Sequence, residues 1–417
     1  MDAVTEDTSA EPGRVSSTVA RSSDFVVMLA LALHRQGMAC HHLESLLARV
    51  AARLRLEAHM LSLPTAFLAS FLDGDSVAGP RSVILRLDPG TMDLTRQSKL
   101  IMVGRSVAEG SLSLDEATRR ISEIESEPGS PWWTQIPAGT IVAGAASRLF
   151  GGGLAEVLLG CIIGLLIVVM TRAFRGTRAD RLLHPLAAVL AAAVASLGAT
   201  WLVAVSPTIT VLGGLMLLLP GYAFTVALDE LAARHLVAGT SRIAGALTVI
   251  LFLGLSVLLA GKLAATAPGR PLIAALPALP GWFDVAAIAL GLLGLAVWFR
   301  TPWRDLPWVI VLGGVAEVIE RGTVSALDVP LASALAALFL ALSCNSVARL
   351  AGRVANAVLA PSLMLLLPGS LGLRTLFALS DKNVISGVET AYQMVLVAVA
   401  IVTGLLLGNL VIPSRKH

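Results

Sequence analysis

The sequence predicts a membrane all-α fold of ten transmembrane helices, built as two inverted five-helix repeats and preceded by a small soluble α+β domain. Three observations carry that expectation. The 417 residues are 56% hydrophobic and 14% charged, with a mean hydropathy of +0.80, whereas a soluble chain carries about a quarter charged residues. The deficit is local: residues 1–133 hold 13 of the 31 Lys and Arg, and 134–412 consist of apolar runs of the ~20 residues that cross a bilayer. Finally, LMLLLPG occurs at 215–221 and again at 363–369, an offset of 148 residues.

Taken in order, residues 1–22 are Ser/Thr-rich and acidic, with Asp2, Glu6, Asp7 and Glu11, and read as a disordered tail. The run FVVMLALAL at 25–33 is short and lacks a basic lead, so it is not a signal peptide. A cytoplasmic α+β domain is expected over 23–133. Its helices fall at 24–36 and 41–55, separated at Gly37, with strands at about 57–63, 65–72 and 81–87 and helices at 93–109 and 113–125. Ser113 with Glu116 forms a capping box for the last helix. His34, His41, His42 and His59 match no standard metal spacing, and Gly74-Asp75-Ser76 reads as a turn rather than a catalytic motif. No metal, no cofactor and no enzymatic activity are therefore expected, and the domain reads as regulatory or gating. Cys40, Cys161 and Cys344 include no CxxC, which argues against a disulfide framework or a zinc site. No Lys/Arg block interleaved with aromatics suggests nucleic acid. Trp132 and Trp133 stand where the chain enters the bilayer, as interfacial aromatics do.

The ten helices are placed at roughly 136–151, 154–173, 183–205, 208–228, 240–262, 281–299, 306–320, 330–348, 355–377 and 388–411. The first five make one repeat over 134–264, the rest a second over 280–412. With the N-terminal domain inside, the inner segments after it carry 12 basic residues: Arg172, Arg175, Arg178, Arg181, Arg234, Arg242, Arg300, Arg304, Arg349, Arg353, Arg415 and Lys416. The outer segments carry 6: Arg148, Lys262, Arg270, Arg321, Arg374 and Lys382. The bias places both termini in the cytoplasm of a multi-pass cell-membrane protein.

Five spans per half is odd, so a second copy enters the membrane upside down. Each LMLLLPG lies in the fourth helix of its half, and Gly239 and Gly387, at the same offset, precede each fifth helix. Proline removes a backbone N–H and clashes with the carbonyl four residues back, here those of Met216 and Met364. Opposed broken helices are how many secondary transporters build a substrate site. The candidate substrate residues are Met216, Pro220, Gly221, Met364, Pro368, Gly369, Asn345 and Asn356. Asp229 and Glu230, just behind the first break, are candidates for proton coupling, with Gly239, Arg242 and Gly387 in gating or support. Glu156, Glu317 and Glu320 are further ionisable groups near helix ends, where caps and loop charges are the commoner role. No GxxxxGK[ST] is present, which argues against an ATP-driven pump in this chain.

The ordered set of stretches resembles the threonine/serine exporter family of bacterial and fungal membrane proteins. They are LALHRQGMACHHLESLLARVAARLRLE (31–57), PTAFLASF (64–71), LDPGTMDLTRQSKLIMVGRSVAEGSLSLDEATRRISEIES (87–126), AGAASRLFGGGLAE (143–156), LLPGYAFTVALDELAARHLVAGTSRIAGAL (218–247) and LAPSLMLLLPGSLGLRTLF (359–377). The resemblance implies export of threonine and serine driven by the proton motive force. It carries over to Pro220, Gly221, Asp229, Gly239, Arg242, Pro368 and Gly369. The implied partners are threonine, serine, protons and the lipid bilayer; homo-oligomerisation is left open. Some relatives split the two halves into partner proteins implicated in succinate export, so dicarboxylate export is the alternative. A membrane-anchored sensor or enzyme acting through the N-terminal domain is a third reading.

Overall fold

The computed structural model describes residues 12–72, 81–88, 92–129, 131–202, 205–264, 279–366, 369–380 and 383–413. The chain divides into two compact units between Glu127 and Pro128.

In the first unit, α1 (Pro12–Arg35) and α2 (Cys40–Arg53) turn at Gly37, whose φ of 72° suits a residue without Cβ. The tail expected over 1–22 is corrected here: α1 already begins at Pro12, so its second half extends an amphipathic helix. Strands β1 (Glu57–Leu63), β2 (Ala66–Leu72) and β3 (Arg81–Arg86) follow as an antiparallel sheet in the order β1-β2-β3. The register sets Glu57 opposite Leu72 and Phe71 opposite Arg81. Alternation along β2 buries Phe67, Ala69 and Phe71, and Leu29, Leu33, Leu43, Leu46 and Leu47 from the helices are fully buried too. α3 (Leu94–Ala108) is capped by Asp93, which accepts from Arg96 N at 3.0 Å. α4 (Leu114–Ser126) is capped by Ser113, which accepts from Glu116 N. The capping box is only half made, because the Glu116 carboxylate turns to Arg119 and Arg120 at 2.7 and 2.8 Å. The turn expected at Gly74-Asp75-Ser76 lies outside the described residues.

The second unit is helical. Its elements are α5 (Trp132–Leu149), α6 (Leu154–Phe174), α7 (Leu183–Leu197), α8 (Pro207–Gly214), α9 (Gly221–Ala232), α10 (Leu236–Ala264), α11 (Trp282–Trp298), α12 (Leu306–Ala351), α13 (Asn356–Leu363), α14 (Gly369–Ser380) and α15 (Val384–Val411). Among the described residues, five helices are long and apolar enough to cross a membrane, or six if the bent α8–α9 pair is one span. This is a multi-pass membrane unit, with fewer qualifying helices than the ten expected. The physical reasons are local. α11 has 17 residues, α5 has polar ends at Thr134, Gln135 and Arg148, and α13 and α14 flank the undescribed residues 367–368.

The expected seventh and eighth helices merge into α12, 46 residues broken at Asp328 (φ 61°, ψ 164°). Ser333 Oγ hydrogen-bonds the Glu320 carboxylate across that break. Thirteen residues of straight helix would span about 20 Å, so the bond requires the limbs to fold back at Asp328. α12 is a helical hairpin.

The packing is laid out twice. α5 packs on α6, and both pack on α8; α11 packs on α12, and both pack on α13. α7 packs on α10 as α12 does on α15, and α9 packs on α10 as α14 does on α15. Small residues permit the approach: a Cβ on Gly213 would lie 2.0 Å from Ser147 Oγ, and one on Gly404 would lie 2.3 Å from Ala334 O.

Candidate functional site: two helix breaks that meet

The first break is built stepwise. α8 starts at Pro207, where the missing N–H costs nothing, and Ser206 accepts from Ile209 N. After Gly214 the chain tightens into a 3₁₀ turn over Met216–Leu218. Leu219 N donates to Leu215 O at 3.2 Å and to Met216 O at 3.3 Å. The Met216 carbonyl is therefore not freed, contrary to expectation: the tighter turn supplies the donor that proline removes. Pro220 follows, Gly221 opens α9, and the α8–α9 pair bends by 53°. Pro220 offers no side-chain cap, and first-turn N–H groups point back along a helix axis, here toward the break.

The second break repeats this layout. α13 ends at Leu363 with Met364 as its buried cap residue, and α14 opens at Gly369. Pro368 lies outside the described residues. The two breaks meet at their glycines: a Cβ on Gly369 would lie 3.1 Å from Gly221 N, 3.2 Å from Gly221 Cα and 3.2 Å from Leu219 Cβ. Two helix N-termini thus converge. Pro220, Gly221, Phe224, Ile250, Gly369 and Met394 line a narrow crevice that is nowhere wide enough for a water molecule. Behind it, Thr225 Oγ1 is buried with no hydrogen-bond partner among the described residues.

The surroundings follow the 148-residue offset. A Cβ on Gly239 would lie 2.6 Å from Leu231, and one on Gly387 would lie 2.6 Å from Leu379; 231 and 379 are themselves offset equivalents. Phe224, Ala246, Ile250, Met394 and Ala398 form one buried cluster, with Leu228 and Leu376 against it. Ala246 and Met394 are equivalents, as are Ile250 and Ala398, and Leu228 and Leu376. A large residue on one half faces the core where its counterpart is small.

Residues 24–264 match a family model described as "Putative threonine/serine exporter", and residues 284–411 match a second, "Threonine/Serine exporter, ThrE". The chain belongs to the threonine/serine exporter family. Relatives named "Pheromone-regulated membrane protein 10" are similar to it in sequence. The one from Eremothecium gossypii is 23% identical over 89% of this chain and 50% of its own length. Those from Pichia sorbitophila (25% identical; 59% and 25%) and Kluyveromyces lactis (23% identical; 89% and 39%) are similar in the same way. The chain spans half or less of the length of these curated relatives. No solved structure matches it.

Other site residues expected for a threonine/serine exporter are distributed differently. Glu230 is fully buried, and its Oε2 pairs with Arg242 Nε at 2.9 Å, tying the end of α9 to the start of α10. Its neighbour Asp229 is half-buried on α9. Asn345 is not a break residue: its Nδ2 donates to Asn409 Oδ1 at 2.7 Å and Ile412 O at 2.8 Å, clamping α12 to the end of α15. Asn356 opens α13. Glu156 caps α6, accepting from Gly153 N and Ser206 N at 2.9 Å each. Sequence reasoning missed Phe224, Ile250 and Met394. The signal was available in the offset, which pairs Ala246 with Met394 and Ile250 with Ala398.

Proposed function

We propose that the chain is a secondary exporter of threonine and serine, working by alternating access between two inverted five-helix halves in exchange for protons. The carrying observation is the approach of Gly369 to Gly221. It sets the N-termini of α9 and α14 against each other, and each N-terminus carries a partial charge of roughly +0.5. Converging N–H groups suit the carboxylate of an amino acid. The crevice is too narrow for that ligand, so the described conformation corresponds to a closed stage, and loading requires α9 and α14 to separate. The folded-back α12, the doubled packing and the offset glycine contacts support ten spans in inverted halves. The excess of basic residues in the inner segments supports cytoplasmic termini.

Counterflow in proteoliposomes tests this reading. Vesicles loaded with unlabelled threonine should take up labelled threonine, faster with a pH gradient. Pro220→Ala should cut exchange at least about tenfold, since sub-ångström misplacement at a site is costly. Exchange of succinate alone would move the substrate class to dicarboxylates. An unaffected Pro220→Ala variant would point to a sensor or anchored enzyme instead.

A further inference from the structure

The first limb of α12, residues 306–327, is about 33 Å long at ~1.5 Å per residue, and Glu317 stands half-way along it. Glu317 is 5% exposed, between Ala316 of the apolar core and Ile319 packed against it. Its Oε1 accepts from Arg321 Nε at 2.7 Å. Its Oε2 is buried with no hydrogen-bond partner among the described residues. Glu320, one turn on, accepts the hydroxyl of the fully buried Ser333 on the other limb. The cluster therefore holds two carboxylates, one guanidinium and one hydroxyl.

Among the described residues, neighbouring elements do not restore the balance: in the turn before α12, Asp305 pairs with Arg353 and Arg304 stacks on Trp303. α13 carries no titratable side chain. The one on α11, Asp284, pairs with Arg148 at 2.8 Å. α15 offers Glu389 and Tyr392, both exposed. The second limb of α12 adds Cys344, which is uncharged, and Arg349, which bonds Pro413 O at the far end; Asp328 at the fold-back adds negative charge. Two carboxylates one turn apart with a single guanidinium leave the cluster one positive charge short. Arg321 offsets one of the two charges, and a second carboxylate left without a cation takes up a proton rather than remain charged in an apolar medium.

We propose that Glu317 and Glu320 form a proton-binding site, and that this couple, rather than Asp229 and Glu230, carries the proton exchanged for substrate. The second half of that statement rests on the transport reading above; the first does not. Glu230 has a cation of its own in Arg242, whereas Glu317 and Glu320 share Arg321. The proton enters from one aqueous face, bonds to a carboxylate oxygen of the couple and leaves to the other face. The Ser333–Glu320 bond crosses the fold-back of α12, so protonation of Glu320 removes the charge that holds the two limbs together there.

Infrared spectra of the full-length protein in detergent, compared between acid and alkaline buffer, test the site directly. A neutral carboxylic-acid C=O band should appear on acidification, disappear in Glu317→Gln/Glu320→Gln and persist in the exposed control Glu389→Gln. If the double variant does not fold, Glu317→Gln and Glu320→Gln are read singly, each with a weakened band. A band unchanged in these variants, or one abolished by sodium at constant pH, overturns the proposal. In proteoliposomes, Glu389→Gln should keep the acceleration of threonine counterflow by a pH gradient, and Glu317→Gln should lose it. Retained acceleration in Glu317→Gln overturns the coupling role. Absence of threonine exchange by the wild type would sink the substrate reading, while the infrared result still decides the proton site.

Discussion

The two halves of the membrane unit share their backbone plan but not their charges. Gly239 on Leu231 and Gly387 on Leu379 are the same contact made twice. Beside the first, Glu230 and Arg242 form a buried pair; at the equivalent positions the second half has Ala378 and Thr390. The second half places its acids elsewhere, at Glu317 and Glu320 in α12. The backbone contacts are repeated, whereas the charges beside them are not. The first half carries the buried Glu230–Arg242 pair; the second carries the Asp305–Arg353 pair and, in α12, two carboxylates with the single guanidinium of Arg321.

The largest way to break this comparison is to unmatch the first half. Glu230→Ala strands Arg242 beside a fully buried position, and removing one partner of a buried pair costs about 3 kcal/mol or more. Thermal unfolding in detergent measures it, and Glu230→Gln/Arg242→Gln should recover part of the loss.

The next effect sharpens the backbone likeness. A Cβ at 239 meets the Ala227 carbonyl at 2.7 Å as well as Leu231, while a Cβ at 387 meets chiefly the end of Leu379. Gly239→Ala should therefore cost about 1–3 kcal/mol, and Gly387→Ala less, by the same unfolding assay. Leu379→Ala should relieve the strain at 387. Equal costs would erase the distinction.

A third change addresses the meeting point itself. Gly369→Ala brings a Cβ to 3.1–3.2 Å from Gly221 and Leu219, so α9 and α14 must part by a few tenths of an ångström. Folding should be nearly unaffected, and threonine counterflow should fall about tenfold.

The smallest effect contrasts the buried pair with an exposed one. In the first unit, hydrogen bonds from Arg119 and then Arg120 hold the Glu116 carboxyl down to about 2. A folded-state pKa below the unfolded value of about 4.5 gives stability that is complete above pH ~4.5 and lost as pH falls through ~2. Glu116 stands in solvent, so screening keeps this slight. Circular-dichroism melts of the whole chain should show a small acid-induced decline that Glu116→Gln lacks.

Much of this plan was legible in the sequence. The paired breaks, the glycines at 239 and 387, the three strands and the Ser113 cap could all be read from periodicity, turn chemistry and the offset. What escaped depended on helix phase and on long-range partners. Which of the adjacent acids 229 and 230 faces Arg242 is set by the rotation of α9 about its axis, fixed by the turn before Gly221. Asn345 finds its partners 64 and 67 residues away, beyond any local pattern. The fold-back at Asp328 falls between the helices expected at 306–320 and 330–348, but its residue was not marked, because it uses a left-handed φ without glycine. The fate of the Met216 carbonyl turned on a single 3₁₀ turn.

The unequal sizes in the central cluster bear on how such a chain stays whole. Two copies of the first half would set Ala246 against Ala246 and Ile250 against Ile250; two copies of the second would set Met394 against Met394 and Ala398 against Ala398. Only the mixed pair sets a large residue of one half beside a small residue of the other at both positions. A gene cut between residues 264 and 280 should yield two polypeptides that sort into mixed pairs, with self-association the losing competitor.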